Sequence, residues 1–244
     1  LSCTFIQKDM VKMLLNNNAN PNIQDFENEL VPLMYTILYN EYELFELLLE
    51  KTNLEIQDRN GFNALHYCIR ESVWEFIDKL SPKIDLDMTN IEGKTPLHLI
   101  LESLRSNDVK NVFDLEYFIK NTNLNIQDND GKSCLLLLCK YNMWKKFSSI
   151  LETKKLNIHV KNKDEKNALY YILENDREKF YEIVAKSYLK LIRSKESKTF
   201  SSEIANICKK EIPFKDFSVI NNVINSSQLE KEIKKSDKDI CLEV

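Results

Sequence analysis

The hydrophobic residues of the chain form two kinds of short helical segment that alternate along the sequence. One kind is apolar on nearly all sides, which predicts a short helix buried between neighbours, and it occurs as NALHYCI at 63–69, TPLHLIL at 95–101, SCLLLLC at 133–139 and NALYYIL at 167–173. The other kind is amphipathic, with apolar residues three and four apart, at 42–51, 73–80, 115–121 and 144–152. The pattern therefore predicts successive pairs of an inner and an outer helix.

A polar phrase separates each helix pair from the next. It is NTNLNIQDNDGK at 121–132 and KTNLEIQDRNGF at 51–62, with looser versions at 18–29, 83–94 and 155–166. We call the residue that opens its turn the anchor, and the anchors recur at intervals of 33, 32, 38 and 34 residues: Asp25, Asp58, Asn90, Asp128 and Asn162. A period in this range indicates stacked repeats. We call the turn at each anchor a finger, and number the fingers 1–5.

The glycines support the same register. The chain has only 3, and Gly61, Gly93 and Gly131 each lie three residues after an anchor. A glycine confined to one slot indicates a turn position that needs a positive φ. Finger 1 has Asn28 in this slot and an extra residue before Pro32, and finger 5 has Glu165, which predicts a distorted finger.

The whole pattern resembles the ankyrin repeat. TPLH stands intact at 95–98, and DRNGFNALH at 58–66 and DNDGKSCLL at 128–136 follow D-x-x-G-x-T-P-L-H. The resemblance covers residues 1 to about 193 and implies an all-α ankyrin-repeat solenoid of helix-turn-helix pairs with β-hairpin fingers. It divides that region into a partial unit at 1–24 and units that start near 25, 58, 90, 128 and 162.

Several residues are expected to have structural roles. Thr95 and Pro96 have the order of a helix cap and a first-turn proline. His66 and His98 share one repeat slot, where the resemblance implies an imidazole that hydrogen-bonds backbone or the nearby Thr. Gly61 and its equivalents complete the structural set.

Composition excludes several classes of protein. The chain has 244 residues and a net charge of -4, which argues against a dedicated nucleic-acid binder. No apolar run approaches the roughly 18 residues of a membrane span. The 6 cysteines have no CxxC pair or regular spacing, so we expect reduced thiols and an intracellular, cytoplasmic location. Because the chain begins with Leu1, we expect a segment of something longer or a processed product.

Catalytic chemistry is not expected. Among the 3 histidines, His66 and His98 are assigned to structure and His159 lies in finger 5. The chain lacks HExxH, GxSxG and GxxxxGK[ST] motifs, and its glycines all belong to fingers, so no phosphate loop is available. Cys134 and Cys139 are five apart, on different helix faces, and would not share a metal. We therefore predict no enzyme activity, cofactor, metal or small-molecule substrate.

The surface left for function is the edge formed by finger tips and inner-helix ends, which stacked repeats present as an extended concave face. Partner-binding residues are predicted there: Phe26, Glu27, Tyr39, Arg59, Asn60, Phe62, Arg70, Ile91, Glu92, Lys94, Asn129, Asp130, Lys132, Tyr141, Lys163 and Lys166.

Three of these residues, Phe26, Phe62 and Ile91, are apolar where solvent favours polar side chains. With Tyr39 and Arg70 they could form a binding hot spot, since aromatic and Arg anchors carry most interface energy. The alternative is that each folds back onto a neighbouring hairpin. Charge along the edge drifts from acidic in the first unit to basic in the last, which suggests a partner with an asymmetric field. An insertion at 102–111 either extends the contact or lengthens a loop.

Residues 194–244 are predicted to form a helical cap or tail, with helices near 200–212, 215–224 and 226–239. The function that the resemblance implies is noncatalytic: a protein-protein interaction module that acts as a scaffold or as a subunit of a larger assembly, with protein partners. The alternative is a substrate-recruiting adaptor of the ubiquitin-ligase or viral-effector type, or the ankyrin region of a larger enzyme.

Overall fold

The computed structural model describes residues 2–104, 115–143, 156–157 and 160–175, with most side chains from residue 8 onward. The chain divides into two compact units, Leu1–Asn167 and Ala168–Val244. The predicted outer helix at 144–152, most of the insertion and the predicted tail helices lie outside the described residues. The predicted boundary near residue 193 also lies there and stays a prediction.

The described part of the chain is helical, as expected. In the first unit the helices are α1 (Ser2–Asn16), α2 (Pro32–Leu38), α3 (Tyr42–Leu49), α4 (Ala64–Arg70), α5 (Trp74–Leu80), α6 (Pro96–Ser103), α7 (Leu115–Asn121) and α8 (Cys134–Lys140). The second unit contains α9 (Ala168–Asn175). Within these ranges the β structure is an isolated bridge between Gln127 and Ser133, so the fingers are hydrogen-bonded turns without strands. None of the described helices has the length and hydrophobicity that a bilayer span requires.

Inner helices α4, α6 and α8 begin where side-chain caps satisfy the first free backbone N–H groups. Asn63 Oδ1 accepts from His66 N (3.0 Å) at the start of α4, and Thr95 Oγ1 accepts from His98 N (3.4 Å) at the start of α6. Pro96 follows Thr95 as the first residue of α6, where its missing N–H and its restricted φ suit the first turn. Ser133 caps α8 in the same way, through Leu136 N.

The core of the first unit lies between successive helix pairs. Inner helix α2 packs on α4, α4 on α6, and α6 on α8, while outer helices α3 and α5 pack on α2 and α4. Between outer helices the contact is aromatic, because Phe45 and Phe76 meet edge to face with ring centroids 4.7 Å apart, and both are fully buried. Each repeat thus buries its apolar face against its neighbours, and the polar fingers are left along one edge.

Candidate functional site

Each finger is built on the side chain of its anchor. Asp58 Oδ1 accepts hydrogen bonds from the backbone N–H groups of Asn60 (2.9 Å) and Phe62 (2.7 Å), and Asp58 N–H donates to the carbonyl of Phe62 (2.9 Å). Asn90, Asp128 and Asn162 accept the equivalent pair of bonds in fingers 3–5. The anchor therefore closes the turn from inside, which explains why only Asp or Asn occupies this slot.

Backbone hydrogen bonds join each finger to the next. The residue after an anchor donates its N–H to a carbonyl of the preceding tip: Arg59 to Asn28 (3.2 Å), Ile91 to Asn60 (3.0 Å), Asn129 to Glu92 (2.8 Å) and Lys163 to Asp130 (2.9 Å). The tips are thus held in a fixed spacing by backbone groups. Some tip side chains add to these links, as Arg59 does to the carbonyl of Phe26 (3.0 Å) and Asn129 does to that of Ile91 (2.9 Å).

A glutamine directly before the anchor adds a second link between neighbouring fingers, and the sequence pattern did not predict it. Gln57 Nε2 donates to the carbonyl of Gly61 in its own finger (2.6 Å) and to that of Thr89 in the next (2.8 Å). Gln24 and Gln127 bridge their fingers in the same manner. In the sequence, this glutamine is visible only as part of the repeated IQD. Its bridging role depends on the carbonyl of the neighbouring finger, which the sequence pattern does not show.

The glycine slot is required for two reasons. Gly61, Gly93 and Gly131 have φ of 72, 74 and 75°. A Cβ on Gly61 would also lie 2.8 Å from Ile91 N and 2.9 Å from Asn90 Cα. The next finger therefore passes too closely for any side chain, in addition to the strain of a left-handed backbone.

Two expectations about the irregular fingers were wrong. In finger 1 the left-handed residue is Glu29 (φ 62°) and not Asn28, because the extra residue widens the turn to Asp25–Leu30. In finger 5, Glu165 itself takes a φ of 60°, and the Asn162–Lys166 bond (3.0 Å) matches the other fingers. Finger 5 is therefore regular, because the anchor's hydrogen bonds outweigh the left-handed strain of about 1–2 kcal/mol.

The two inner-helix histidines connect one repeat to the next finger, as expected for structural residues. His66 Nε2 lies 3.2 Å from the carbonyl of Lys94, and His98 Nε2 lies 3.0 Å from that of Lys132. Because a carbonyl oxygen only accepts, Nε2 carries the hydrogen in both rings. Burial lowers the pKa of His66 to about 4, against the opposing effects of the Lys94 carbonyl and Asp58, and burial also lowers the pKa of His98. Both imidazoles are thus held neutral.

The anchors differ in how their second side-chain atom is satisfied. Asp58 Oδ2 accepts from the hydroxyl of Tyr67 (2.6 Å), and Asp25 Oδ2 accepts from that of Tyr35 (3.2 Å). Asn90 Nδ2 and Asp128 Oδ2 are buried without a hydrogen-bond partner. In their repeats the tyrosine position, nine residues after the anchor, is occupied by Leu99 and Leu137.

The predicted hot-spot residues separate into two groups. Phe26, Tyr39 and Ile91 project into solvent, with 100%, 72% and 64% of their surface exposed. Phe62 is half-buried, with its ring centroid 5.5 Å from that of His66 and 5.9 Å from that of Tyr67. Phe62 therefore folds back, but onto the inner helix of its own repeat and not onto a neighbouring hairpin.

Arg70 is also engaged within its own repeat. Its guanidinium carbon lies 4.3 Å from the ring centroid of Tyr67 and 5.3 Å from that of Phe62, and its Nε is 2.9 Å from Glu71 Oε1. The cation is thus held between aromatic faces and a carboxylate. Arg70 and Phe62 form part of the repeat's wall, whereas Phe26, Tyr39 and Ile91 project from the edge.

Charges along the edge are neutralised locally. Ion pairs join Arg59 to Glu29 (3.8 Å), Lys94 to Glu92 and Glu102 (both 3.0 Å), and Asp130 to Lys132 (2.8 Å) and Lys163 (3.4 Å). Hydrogen bonds from Lys132 and Lys163 lower the pKa of Asp130. The pKa of Lys94 is raised because its bonds to Glu102 and Glu92 outweigh the lowering effect of burial. The change from acidic to basic residues along the edge therefore produces a weaker electrostatic field than the sequence suggested.

The other predicted contact residues lie along the same edge. Glu27, Asn60 and Asn129 are exposed, whereas Tyr141 and Lys166 are half-buried. Four further large apolar residues are exposed in the described part, on α1 and before the first anchor: Met10, Met13, Leu14 and Ile23.

The described thiols are buried within the repeats. Cys134 Sγ lies 3.2 Å from His98 Nδ1, but burial raises the pKa of this thiol far above its ordinary value, and it raises the pKa of Cys139 to about 12. A buried thiol of high pKa is a poor nucleophile. No group of three or more His, Cys, Asp or Glu side chains suited to a metal occurs in the described part.

Comparisons with known proteins agree with this geometry. The family profile "Ankyrin repeats (3 copies)" matches residues 2–90 and 33–114. An ankyrin repeat protein of Acanthamoeba polyphaga mimivirus is 28% identical over 99% of this chain, and an ankyrin repeat protein of Variola virus is 30% identical over 37% of it. The chain spans only 35% and 16% of the length of these two relatives.

A solved structure shares the fold. The crystal structure of the ankyrin repeat domain of Bcl-3, a member of the IkappaB protein family, matches with a TM-score of 0.54 and covers 67% of this chain and 72% of that one. Its sequence is 18% identical, so the likeness concerns the fold alone.

Proposed function

The chain is an ankyrin-repeat protein, and we propose that it is a noncatalytic interaction module that binds a protein partner through the edge formed by its finger tips and inner-helix ends. Ankyrin repeats are generally protein-interaction modules, and we assign this role to the edge of finger tips and inner-helix ends. In this role the protein acts as a scaffold or as a subunit of a larger assembly.

The observation that carries the proposal is the combination of rigid tips and exposed apolar side chains. Backbone hydrogen bonds join the fingers, from Arg59 N–H to the carbonyl of Asn28 through to Lys163 N–H to that of Asp130. Phe26, Tyr39 and Ile91 project from this edge with most of their surface exposed. Side chains presented on a fixed backbone lose little conformational freedom on binding, which favours affinity.

A second candidate function is a substrate-recruiting adaptor of the viral-effector type. The source of the matched relatives, a mimivirus and Variola virus, favours this candidate. On this alternative the repeats recruit the substrate and the effector segment lies elsewhere in the protein.

Photo-cross-linking from defined positions tests the proposed surface. A photoreactive phenylalanine derivative at Phe26 or Ile91 is expected to cross-link a protein partner in the native cell. The matched control position is Glu75, which is also exposed but lies on outer helix α5. Cross-links from Glu75 alone would place binding on the outer helices and would contradict the proposal.

A further inference from the structure

Building on the proposed function, we infer that the partner docks on fingers 1–3 through an apolar, weakly charged protein surface, with Phe26 as the main anchor. Three features of the edge support this location and this class of partner: the fixed backbone at Phe26, the pairing of the edge charges, and the contrast between fingers 1–3 and fingers 4–5.

Hydrogen bonds fix the backbone at Phe26, although its side chain is completely exposed. Asp25 Oδ1 accepts from the N–H groups of Glu27 and Asn28, the two residues that follow Phe26 (both 2.8 Å). Arg59 of finger 2 donates from Nη2 to the carbonyl of Phe26 (3.0 Å). The backbone is thus fixed on both sides of an aromatic ring whose exposed fraction is 100%. An exposed aromatic on a fixed backbone has the properties of an interface anchor, since only its own side-chain torsions remain to be ordered on binding.

Finger 1 differs in shape from the regular fingers, and this brings a carboxylate close to Arg59. Its turn closes between Asp25 and Leu30 (3.0 Å), whereas finger 2 closes between Asp58 and Phe62 (2.9 Å), one residue sooner. The wider turn moves the left-handed position to Glu29, which reaches Arg59 with a carboxylate oxygen 3.8 Å from Nε. Arg59 therefore stabilises finger 1 and is itself partly neutralised.

The charges of fingers 1–3 do not favour a strongly charged partner. Arg59 is paired with Glu29, and Lys94 is paired with both Glu92 and Glu102. Because Lys94 has two carboxylate partners and Glu27 is exposed, a small excess of negative charge remains. Paired surface charges otherwise leave little field at a distance, so electrostatic steering of a polyanion or a basic tail would be weak. Ile91, 64% exposed and joined to the carbonyl of Asn60 by its N–H, adds a second apolar tip beside them. A partner surface that is apolar and weakly charged is therefore complementary to fingers 1–3.

The second half of the edge has a different character. At the position directly after the anchor, fingers 1 and 3 carry Phe26 and Ile91, whereas fingers 4 and 5 carry Asn129 and Lys163. Lys163 is engaged with Asp130, and Asn129 donates from Nδ2 to the carbonyl of Ile91 (2.9 Å). The apolar contact area therefore lies in fingers 1–3.

A displayed library of random peptides, selected on the full 244-residue chain, provides a direct probe of what this surface prefers. We expect the selected peptides to carry large apolar or aromatic residues without an excess of either charge. Their Kd is expected to change by less than about twofold between about 50 and 500 mM NaCl, because screening has few unpaired charges to act on. Phe26→Ser combined with Ile91→Ser is expected to weaken binding by about tenfold or more.

Lys163→Ser is the matched control, since it changes the same tip position in finger 5 and breaks only a surface ion pair. Peptides dominated by one charge with a steep salt dependence, or peptides sensitive to Lys163→Ser and insensitive to the Phe26 and Ile91 changes, would overturn the inference while leaving the proposed function intact. A library that yields no binder to any part of the edge would contradict both.

Discussion

At the residue scale, one Asp or Asn side chain organises each repeat. The anchor accepts the backbone N–H groups of its own turn, and in the first two repeats its second oxygen accepts a tyrosine hydroxyl from the inner helix. Asn90 and Asp128 keep the turn without that hydroxyl, and each leaves a buried polar atom unsatisfied. Because a buried polar atom without a partner costs free energy, the hydroxyl contributes to stability wherever it is present.

Replacing Tyr67 with Phe tests this contribution. The change removes only the hydroxyl that donates to Asp58 Oδ2 at 2.6 Å in a buried site, so the free energy of unfolding should fall by about 1–3 kcal/mol. Urea unfolding followed by circular dichroism measures it. Tyr35→Phe is the matched control, and its effect should be smaller because that bond is longer (3.2 Å) and half-exposed. Equal losses in the two variants would contradict the assignment.

Replacing Gly61 with Ala tests the finger glycine. We expect the free energy of unfolding to fall by about 2 kcal/mol or more, because a left-handed alanine is strained and its Cβ would lie 2.8 Å from Ile91 N. Glu165→Gly in finger 5 is the complementary variant. It removes the strain of a φ of 60°, so stability should be unchanged or rise by up to about 1 kcal/mol. A clear loss in Glu165→Gly would show that the glutamate supports its turn.

At the element scale, stability depends on links from one inner helix to the next finger. His66 on α4 bonds the carbonyl of Lys94 in finger 3, and His98 on α6 bonds that of Lys132 in finger 4. Gln57 spans fingers 2 and 3 in addition. In stacked repeats the interfaces between neighbours contribute much of the total stability, so each such link acts on two repeats at once.

The two histidines predict a pH dependence. Their pKa values are lowered in the folded protein, that of His66 to about 4, while an unfolded His titrates near 6.5. The unfolded chain therefore binds more protons between these values. For His66 the stabilisation is complete above about pH 6.5 and is lost as the pH falls toward about 4, by roughly 1.4 kcal/mol per pH unit, and His98 acts in the same direction.

The difference between wild type and His66→Gln isolates this effect from carboxylate titration. From pH 7 to pH 5 the wild type should lose about 2 kcal/mol more stability than the variant. Chemical denaturation at each pH provides the measurement. Parallel pH profiles for the two proteins would mean that His66 is protonated as readily in the folded state as in the unfolded state.

At the scale of the whole molecule, one edge collects side chains that the fold itself does not use. Phe26 and Ile91, which directly follow their anchors, are fully or largely exposed, while Phe62, four residues after its anchor, packs against His66 and Tyr67. The chemistry on the described part of the chain is otherwise that of a repeat scaffold, with neutral buried imidazoles and buried thiols. Specificity then depends on which residues occupy the edge, and not on the fold.

Serine substitutions distinguish the two kinds of edge residue. Phe26→Ser should leave the free energy of unfolding within about 0.5 kcal/mol of wild type, because the ring contributes no buried area. Phe62→Ser should lower it by about 1–2 kcal/mol, since the ring contacts His66, Tyr67 and Arg70. Thermal unfolding of both variants provides the comparison. A large loss for Phe26→Ser would show that this residue packs within the protein.

The sequence alone determined the repeat register, the inner and outer helices and the glycine slots. These features follow from local residue spacing and turn chemistry, which recur in every repeat and do not depend on contacts with adjacent repeats. The structural roles of His66, His98, Thr95 and Pro96 were expected from the family resemblance and from helix-capping chemistry. In the structure both histidines lie against a carbonyl of the next finger, and Thr95 and Pro96 stand at the start of α6.

Only the tertiary structure decided which residues remain available at the edge. Whether Phe62 packs, whether Lys94 is paired, and whether Gln57 bridges two fingers all depend on residues from the inner helix or the next finger. The left-handed residue of finger 1 was also set by how the wider turn closes, which moved it from Asn28 to Glu29. Such contacts depend on distances in space, which the spacing of residues along the chain does not specify.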